Sequence, residues 1–220
     1  MTAVLSRDRR FFLFPGAAAF SRMESELLGV GAMNSPRYRP AGLLVSSSRS
    51  RIMFDGGPGA EPGGRIDAWL LTDDRAELIA QIRRLARAYD TEPAVGSYSA
   101  RALRVDPCPV VHTSHPTCGY LISCGRRRVV WAPEFWQFPL WAAGADLMFA
   151  DAAGWTRPIR FAHNVGGHAA VCDTARRARE NGVRRLVFAH IGRPSIRAID
   201  RGAVPEFGEW GVQGRIYRLR

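Results

Sequence analysis

Residues 66–79, IDAWLLTDDRAELI, limit the fold more than any other stretch. An apolar run at Ala68, Trp69, Leu70 and Leu71 breaks into Thr72, Asp73 and Asp74, and apolar residues then recur at Leu78, Ile79, Ile82 and Leu85. This change from a continuous run to a spacing of three and four predicts a buried strand feeding an amphipathic helix. The turn between them carries the carboxylates of Asp73, Asp74 and Glu77, with Arg75 among them. In an α/β fold ligands bind in the crevice at the carboxyl ends of the strands, so acids gathered there are candidate site residues. They suit plain helix capping as well: Asp or Thr before a helix is a good N-cap, and negative charge in the first turn complements the macrodipole.

The rest of the chain sets the size of that fold. At 220 residues and 46% hydrophobic content it can bury a full core as one domain, expected over residues 23–220, with residues 1–22 as a non-core extension. In the extension Arg9 and Arg10 precede Phe11, Phe12 and Leu13, a weak likeness to a twin-arginine export signal that Pro15 and Gly16 interrupt. The net charge is +11 and every basic residue is arginine. Such an excess favours anionic partners, among them phosphate esters and nucleic acid, through a long-range, salt-dependent field. The four cysteines form no CxxC pair, and a chain this long needs no disulfide staples, so reduced thiols and a cytoplasmic location are expected. No apolar run reaches the roughly 18 residues of a membrane span, so no membrane partner is expected.

Taken in order, residues 27–31, 42–45 and 51–55 read as strands, the last running into Asp55-Gly56-Gly57-Pro58-Gly59. The loop between the first two holds Arg37, Tyr38 and Arg39, whose guanidinium groups could reach a substrate anion or simply face solvent. After the helix, which ends near Tyr89, strands are expected at 94–99 and 101–105, then a loop over 107–117 with His112 and His115. Residues 119–123 and 127–131 form a hairpin about Gly125 and Arg126, and its second strand leads to Glu134. A buried strand at 145–150 ends at Asp151, a helix follows over 169–181 to Gly182, and a strand at 185–189 ends at His190. Residues 215–219 suggest a last edge strand. Side chains able to bind metal thus recur where strands end, and hairpins early with strand, helix, strand late indicate an α/β class fold, an αββα sandwich.

At this point residues 24–220 resemble the metallo-β-lactamase superfamily, most nearly its branch with ribonuclease Z and the phosphodiesterases of carbon–phosphorus lyase pathways. The matching pieces are LLGVGAMNSPRYRPAGLLV (27–45), RIMFDGGPGA (51–60), VVHTSHPTCGYLI (110–122) leading to RRVVWAPE (127–134), and GGHAAVCDTARRARENGVRRLVFAHIGRP (166–194). Their joint order and spacing carry the likeness. The superfamily places HxHxDH after the strand that here is 68–72, and this chain reads Asp73-Asp74-Arg75-Ala76-Glu77-Leu78 instead. Arg75 cannot ligate a cation and Leu78 has no ligand atom, so an ordinary two-zinc site is altered.

What the resemblance implies is a metal set of Asp73, Glu77, His112, Glu134 and His190, with His115 as a rival to His112, and with His168 and Asp73 as catalytic groups. Carboxylates with few imidazoles suit one or two divalent ions such as manganese or iron, with zinc an alternative. A bound ion would activate water, with His168 as proton donor to the leaving group. Arg75 could clamp a substrate anion in the lost ligand position, with Arg37 and Arg39 beside it. His112, His115 and Cys118 could alternatively form a small separate metal site, and Asp55 and Asp151 read as structural, Asp55 as a buttress of the 73–77 turn. The function expected is a metal-dependent hydrolase of a phosphodiester or related small ester. The alternative is a non-catalytic binding or scaffold module with a decayed site. A nucleic-acid partner is the weaker expectation, and a homodimer is left open.

Overall fold

The computed structural model describes residues 22–47 and 49–219. Of the expected N-terminal extension only Arg22 falls within them, and residues 1–21 lie outside the described residues.

Two sheets face each other. β1 (Met23–Gly29), β2 (Gly42–Ser47), β3 (Ser50–Asp55) and β4 (Ala68–Leu70) join the last strand, β14 (Ile216–Leu219), in the order β14-β1-β2-β3-β4. The larger sheet contains β5 (Tyr98–Ala100), β6 (Leu103–Val110), β7 (Thr117–Cys124), β8 (Arg127–Ala132), β9 (Leu147–Ala152), β12 (Leu186–Ile191) and β13 (Glu209–Trp210), in the order β13-β12-β9-β8-β7-β6-β5. Between β9 and β12 lie a short antiparallel ribbon, β10 (Ile159–Arg160) with β11 (Gly167–His168), and helix α2 (Val171–Glu180). Helix α1 (Ile79–Ala86) follows β4, and α3 (Arg193–Asp200) follows β12.

Strand alternation sorts the apolar side chains into layers. Leu43 and Val45 of β2 and Ile52 and Phe54 of β3 enter the main core. There Phe54 meets Tyr120 of β7 with ring centroids 5.1 Å apart, and Phe149 of β9 meets Tyr217 of β14 at 5.3 Å, so rings from both sheets interlock. Leu44 and Met53 point the other way and pack with Trp69, Leu71 and the α1 residues Ile82 and Ala86. Each such buried side chain contributes about 1.5–3 kcal/mol through the area it removes from water. β9 and β12 are parallel and buried along their whole length, because α2 is the crossover between them and covers one sheet face. The fold is the expected αββα sandwich.

Local chemistry moves three boundaries. α1 starts only at Ile79 and has no acid in its first turn, so the capping reading of the 73–77 acids is replaced. Asp73 Oδ1 accepts the Arg75 backbone N–H at 2.8 Å, a side-chain turn that competes with helix. Residues 107–110, expected as loop, extend β6. Beyond Val105 this strand pairs with β7 alone, so Pro107 and Pro109 remove no N–H that a second neighbour would need. α3 was not expected at all, since Pro194 reads as a stop, yet proline in a first turn is preset for a helix. Among the described residues no cysteine forms a disulfide, and no helix is long and apolar enough to cross a membrane.

Candidate active site

The ends of β6, β8, β9 and β12, with β11, bring three imidazoles and two carboxylates together. His112 follows β6, and its backbone is tied to β11: its carbonyl accepts the Gly167 N–H, while its own Nδ1 donates to the Gly167 carbonyl, both at 2.9 Å. That fixes Nδ1 as protonated and turns Nε2 to Glu134 Oε2, 2.7 Å away. Glu134 follows β8, and its Oε1 lies 3.2 Å from His190 Nδ1. His190 is the extra residue of a bulge in β12, for Ala189 pairs with Asp151 and Ile191 with Ala152. Its backbone is left-handed at φ 56°, which aims the ring out of the ladder and into the cluster.

His168 lies on β11. Its ring stacks on His190 at a centroid distance of 5.2 Å and approaches His112 at 4.8 Å. His168 Nδ1 donates to Asp151 Oδ2 at 2.8 Å, and Asp151, fully buried in β9, also accepts the Phe135 and Ala153 backbone N–H groups. A carboxylate with that many donors is held rigidly, so it sets both the tautomer and the orientation of the imidazole.

Electrostatics divide the imidazoles. Burial lowers the pKa of His112, but the hydrogen bond and charge of Glu134 reverse this and raise it to about 9, so the ring carries its proton at neutral pH. Burial also works against the charged form of His168, and Asp151 outweighs it, so its pKa is raised. For His190 burial wins and the pKa is lowered, leaving the ring neutral. Burial pushes the Glu134 carboxyl up, yet the imidazoles of His190, His112 and His168 hold it well below the usual carboxylate range.

The turn at 73–77 completes one wall of a cleft lined by Asp73, Glu77, Leu78, Glu134 and His190. Asp73 is engaged: both of its carboxylate oxygens lie 2.9 Å from His115 Nε2. Glu77 and Arg75 are exposed, and the Arg75 guanidinium has no acidic partner among the described residues. Arg37 is drawn away into an ion pair with Asp200 at 2.8 Å, and the Arg39 side chain lies over Gly59. Asp55, at a left-handed φ of 48°, accepts the Thr72 N–H and hydroxyl on Oδ1 and the Trp131 indole N–H on Oδ2, at 2.8, 3.0 and 2.7 Å. Burial lifts its pKa to about 7 against those bonds.

The divalent ions implied by the resemblance meet a donor set that does not fit them as placed. Arg75 and Leu78 supply no ligand atom, His115 holds Asp73, and Glu134 is shared by His112 and His190. Among the described residues no group of three or more His, Cys, Asp or Glu is arranged to hold a metal ion. His112, His115 and Cys118 form no separate site either, since the two histidines go to different carboxylates and the Cys118 thiol lies by the Leu71 carbonyl. Sequence reasoning missed the Asp151–His168 and Asp73–His115 pairs. The only trace of the first in sequence was an acid at the end of a strand expected to be buried.

No protein-family model and no curated protein matches the chain. Solved structures do match it. The metallo-β-lactamase fold protein YhfI from Bacillus subtilis superimposes with a TM-score of 0.72 at 15% identity, over 90% of this chain and 100% of that one. A diphosphatase from the PhnP family gives 0.67 at 16% identity over 90% and 97%. Zinc-bound PqqB from Methylobacterium extorquens gives 0.68 at 14% identity over 89% and 100%. Likeness at these identities is likeness of fold, and the sheet order, the crossover helix and the loop cluster described above agree with it: the chain has the metallo-β-lactamase fold.

Proposed function

We propose that this chain is a hydrolase of small anionic esters, phosphodiesters first among them, with His168 as proton donor to the leaving group and His190 as base toward water. The carrying observation is that two adjacent carboxylate–imidazole pairs have been pushed apart. Asp151 favours the protonated form of His168 through its bond to Nδ1, while burial favours the neutral form of His190. Paired titratable groups driven in opposite directions are what acid and base assignments look like. Asp151 occupies Nδ1 of His168 and leaves Nε2 for the departing oxygen. Glu134 likewise faces Nδ1 of His190, leaving its Nε2 to accept a proton from water. The protonated His112 supports binding of a negatively charged substrate beside them, and the diphosphatase of the same fold supports phosphoester chemistry.

Turnover of bis(p-nitrophenyl) phosphate by chelator-treated protein is the test. Hydrolysis that disappears in His190→Ala, and that His168→Ala impairs more for a phenyl than for a p-nitrophenyl leaving group, supports the assignment; hydrolysis untouched by both rejects it.

A second reading, dependence on one divalent ion such as manganese, zinc or iron, is favoured by Glu134, which offers one oxygen to each of two imidazoles, and by the zinc-bound neighbour. An ion there would have to take the place of both hydrogen bonds. Bound metal at one per chain in protein purified without chelator, with activity lost on its removal, selects this reading. No turnover with or without added ions selects the non-catalytic binding module.

A further inference from the structure

A groove opens between the loop after β9 and helix α3, and arginines stand on both of its sides. Trp155, Arg157 and Ile159 line one wall and Arg197, Ala198 and Arg201 the other. Arg197 in α3 and Arg201, which caps its C-terminal end, are four residues apart and both line this wall, where like charges repel. Arg157 adds a third positive charge from the opposite wall. Among the described residues none of these guanidinium groups has an acidic partner, although other arginines do: Arg179 pairs with Glu206, Arg185 with Glu209 and Arg37 with Asp200. Positive charge concentrated on a concave surface and left unneutralised by the protein is an arrangement that an anion completes.

One residue of the groove also neighbours the site. Ile159 pairs directly with His168 across the β10–β11 ribbon. Directly opposed residues of an antiparallel pair carry their side chains on the same face, so the Ile159 and His168 side chains leave the ribbon on one side. His168 is the group that protonates the leaving oxygen, so this is the leaving-group side.

We propose that the groove is an anion subsite that holds a phosphate carried by the substrate's leaving group, with Trp155 as a planar apolar wall beside it. The substrate class is then an ester whose departing half is itself phosphorylated and of nucleotide size. This rests on the hydrolase reading above. In the step, a water oxygen bonds to the ester phosphorus, the bond from phosphorus to the leaving oxygen breaks, and His168 gives its proton to that oxygen. The proton lost by water goes to His190, and the phosphorylated product departs from the arginines.

Calorimetric titration with AMP, which joins one phosphate to a planar ring, tests the subsite directly. The chain should bind AMP, and Arg197→Ala/Arg201→Ala should weaken binding about ten- to a hundredfold, the loss expected for two contacts to a charged group. Arg83→Ala/Arg84→Ala, which removes two exposed arginines of α1, should change it less than twofold. Equal weakening in both double variants, or no AMP binding at all, overturns the subsite. AMP should also inhibit bis(p-nitrophenyl) phosphate hydrolysis competitively, and noncompetitive inhibition overturns the link to the leaving group. If the chain hydrolyses nothing, the hydrolase reading falls by itself and AMP binding still decides whether the groove is an anion site.

Discussion

Asp151 shows how one buried side chain sets the character of its neighbour. It accepts two backbone N–H groups as well as His168 Nδ1, so its position does not depend on the imidazole. Asp151→Asn should lower turnover about 10²- to 10³-fold, the size of a misdirected acid, and also cost stability in urea unfolding, because its amide NH2 must face one of those buried donors. Because Asp151 raises the pKa of His168, the alkaline limb of the pH–rate profile should move to lower pH in whatever activity remains. His112 lends itself to a stability measurement. Its folded pKa is raised from 6.5 to about 9, so the stabilisation from its protonated form is complete below pH 6.5 and is lost as pH rises through 9. In chelator-treated protein, urea unfolding should show stability falling over that window by up to about 3 kcal/mol, an energy that belongs once to the His112–Glu134 pair. His112→Gln should flatten the dependence.

Among the elements, the β10–β11 ribbon holds the site in register, since Gly167 exchanges two hydrogen bonds with His112 while its neighbour His168 faces Asp151. Gly167 has φ 155°, and a Cβ there would run into the Ile159 carbonyl and the Trp136 ring. Gly167→Ala should cost more than about 2 kcal/mol in urea unfolding and abolish turnover. Gly182→Ala, at a left-handed position with open space around it, should cost about 1 kcal/mol and leave turnover intact. The sequence made the long buried strands and α2 legible, because their apolar runs and the glycine stop are local signals. It could not show the bulge that turns His190 inward, because a bulge depends on which residues of β9 stand opposite. Nor did it show the proline-bearing end of β6, which depends on an edge left without a second neighbour, whereas the Asp73 turn that delays α1 is a local bond across two residues that competes with the helix signal beside it. The ion pair of Arg37 was not legible either, because Asp200, its partner, lies on a helix that the sequence did not announce.

Over the whole molecule the +11 charge acts on encounter more than on chemistry. Between about 20 and 300 mM NaCl, kcat/KM for an anionic ester should fall several-fold while kcat stays nearly constant, because screening shortens the reach of the field without altering the buried pairs. Steady-state kinetics across that range would show it. The same molecule joins its two sheets through one carboxyl: Asp55 ends β3 in the smaller sheet and takes the indole N–H of Trp131 from the larger. That indole is sealed from water, and its partner gains or loses a proton near pH 7. The protein therefore contains an optical gauge of its own interior. The difference in emission between the native chain and Trp131→Phe should trace a single titration close to neutrality, with no dye attached.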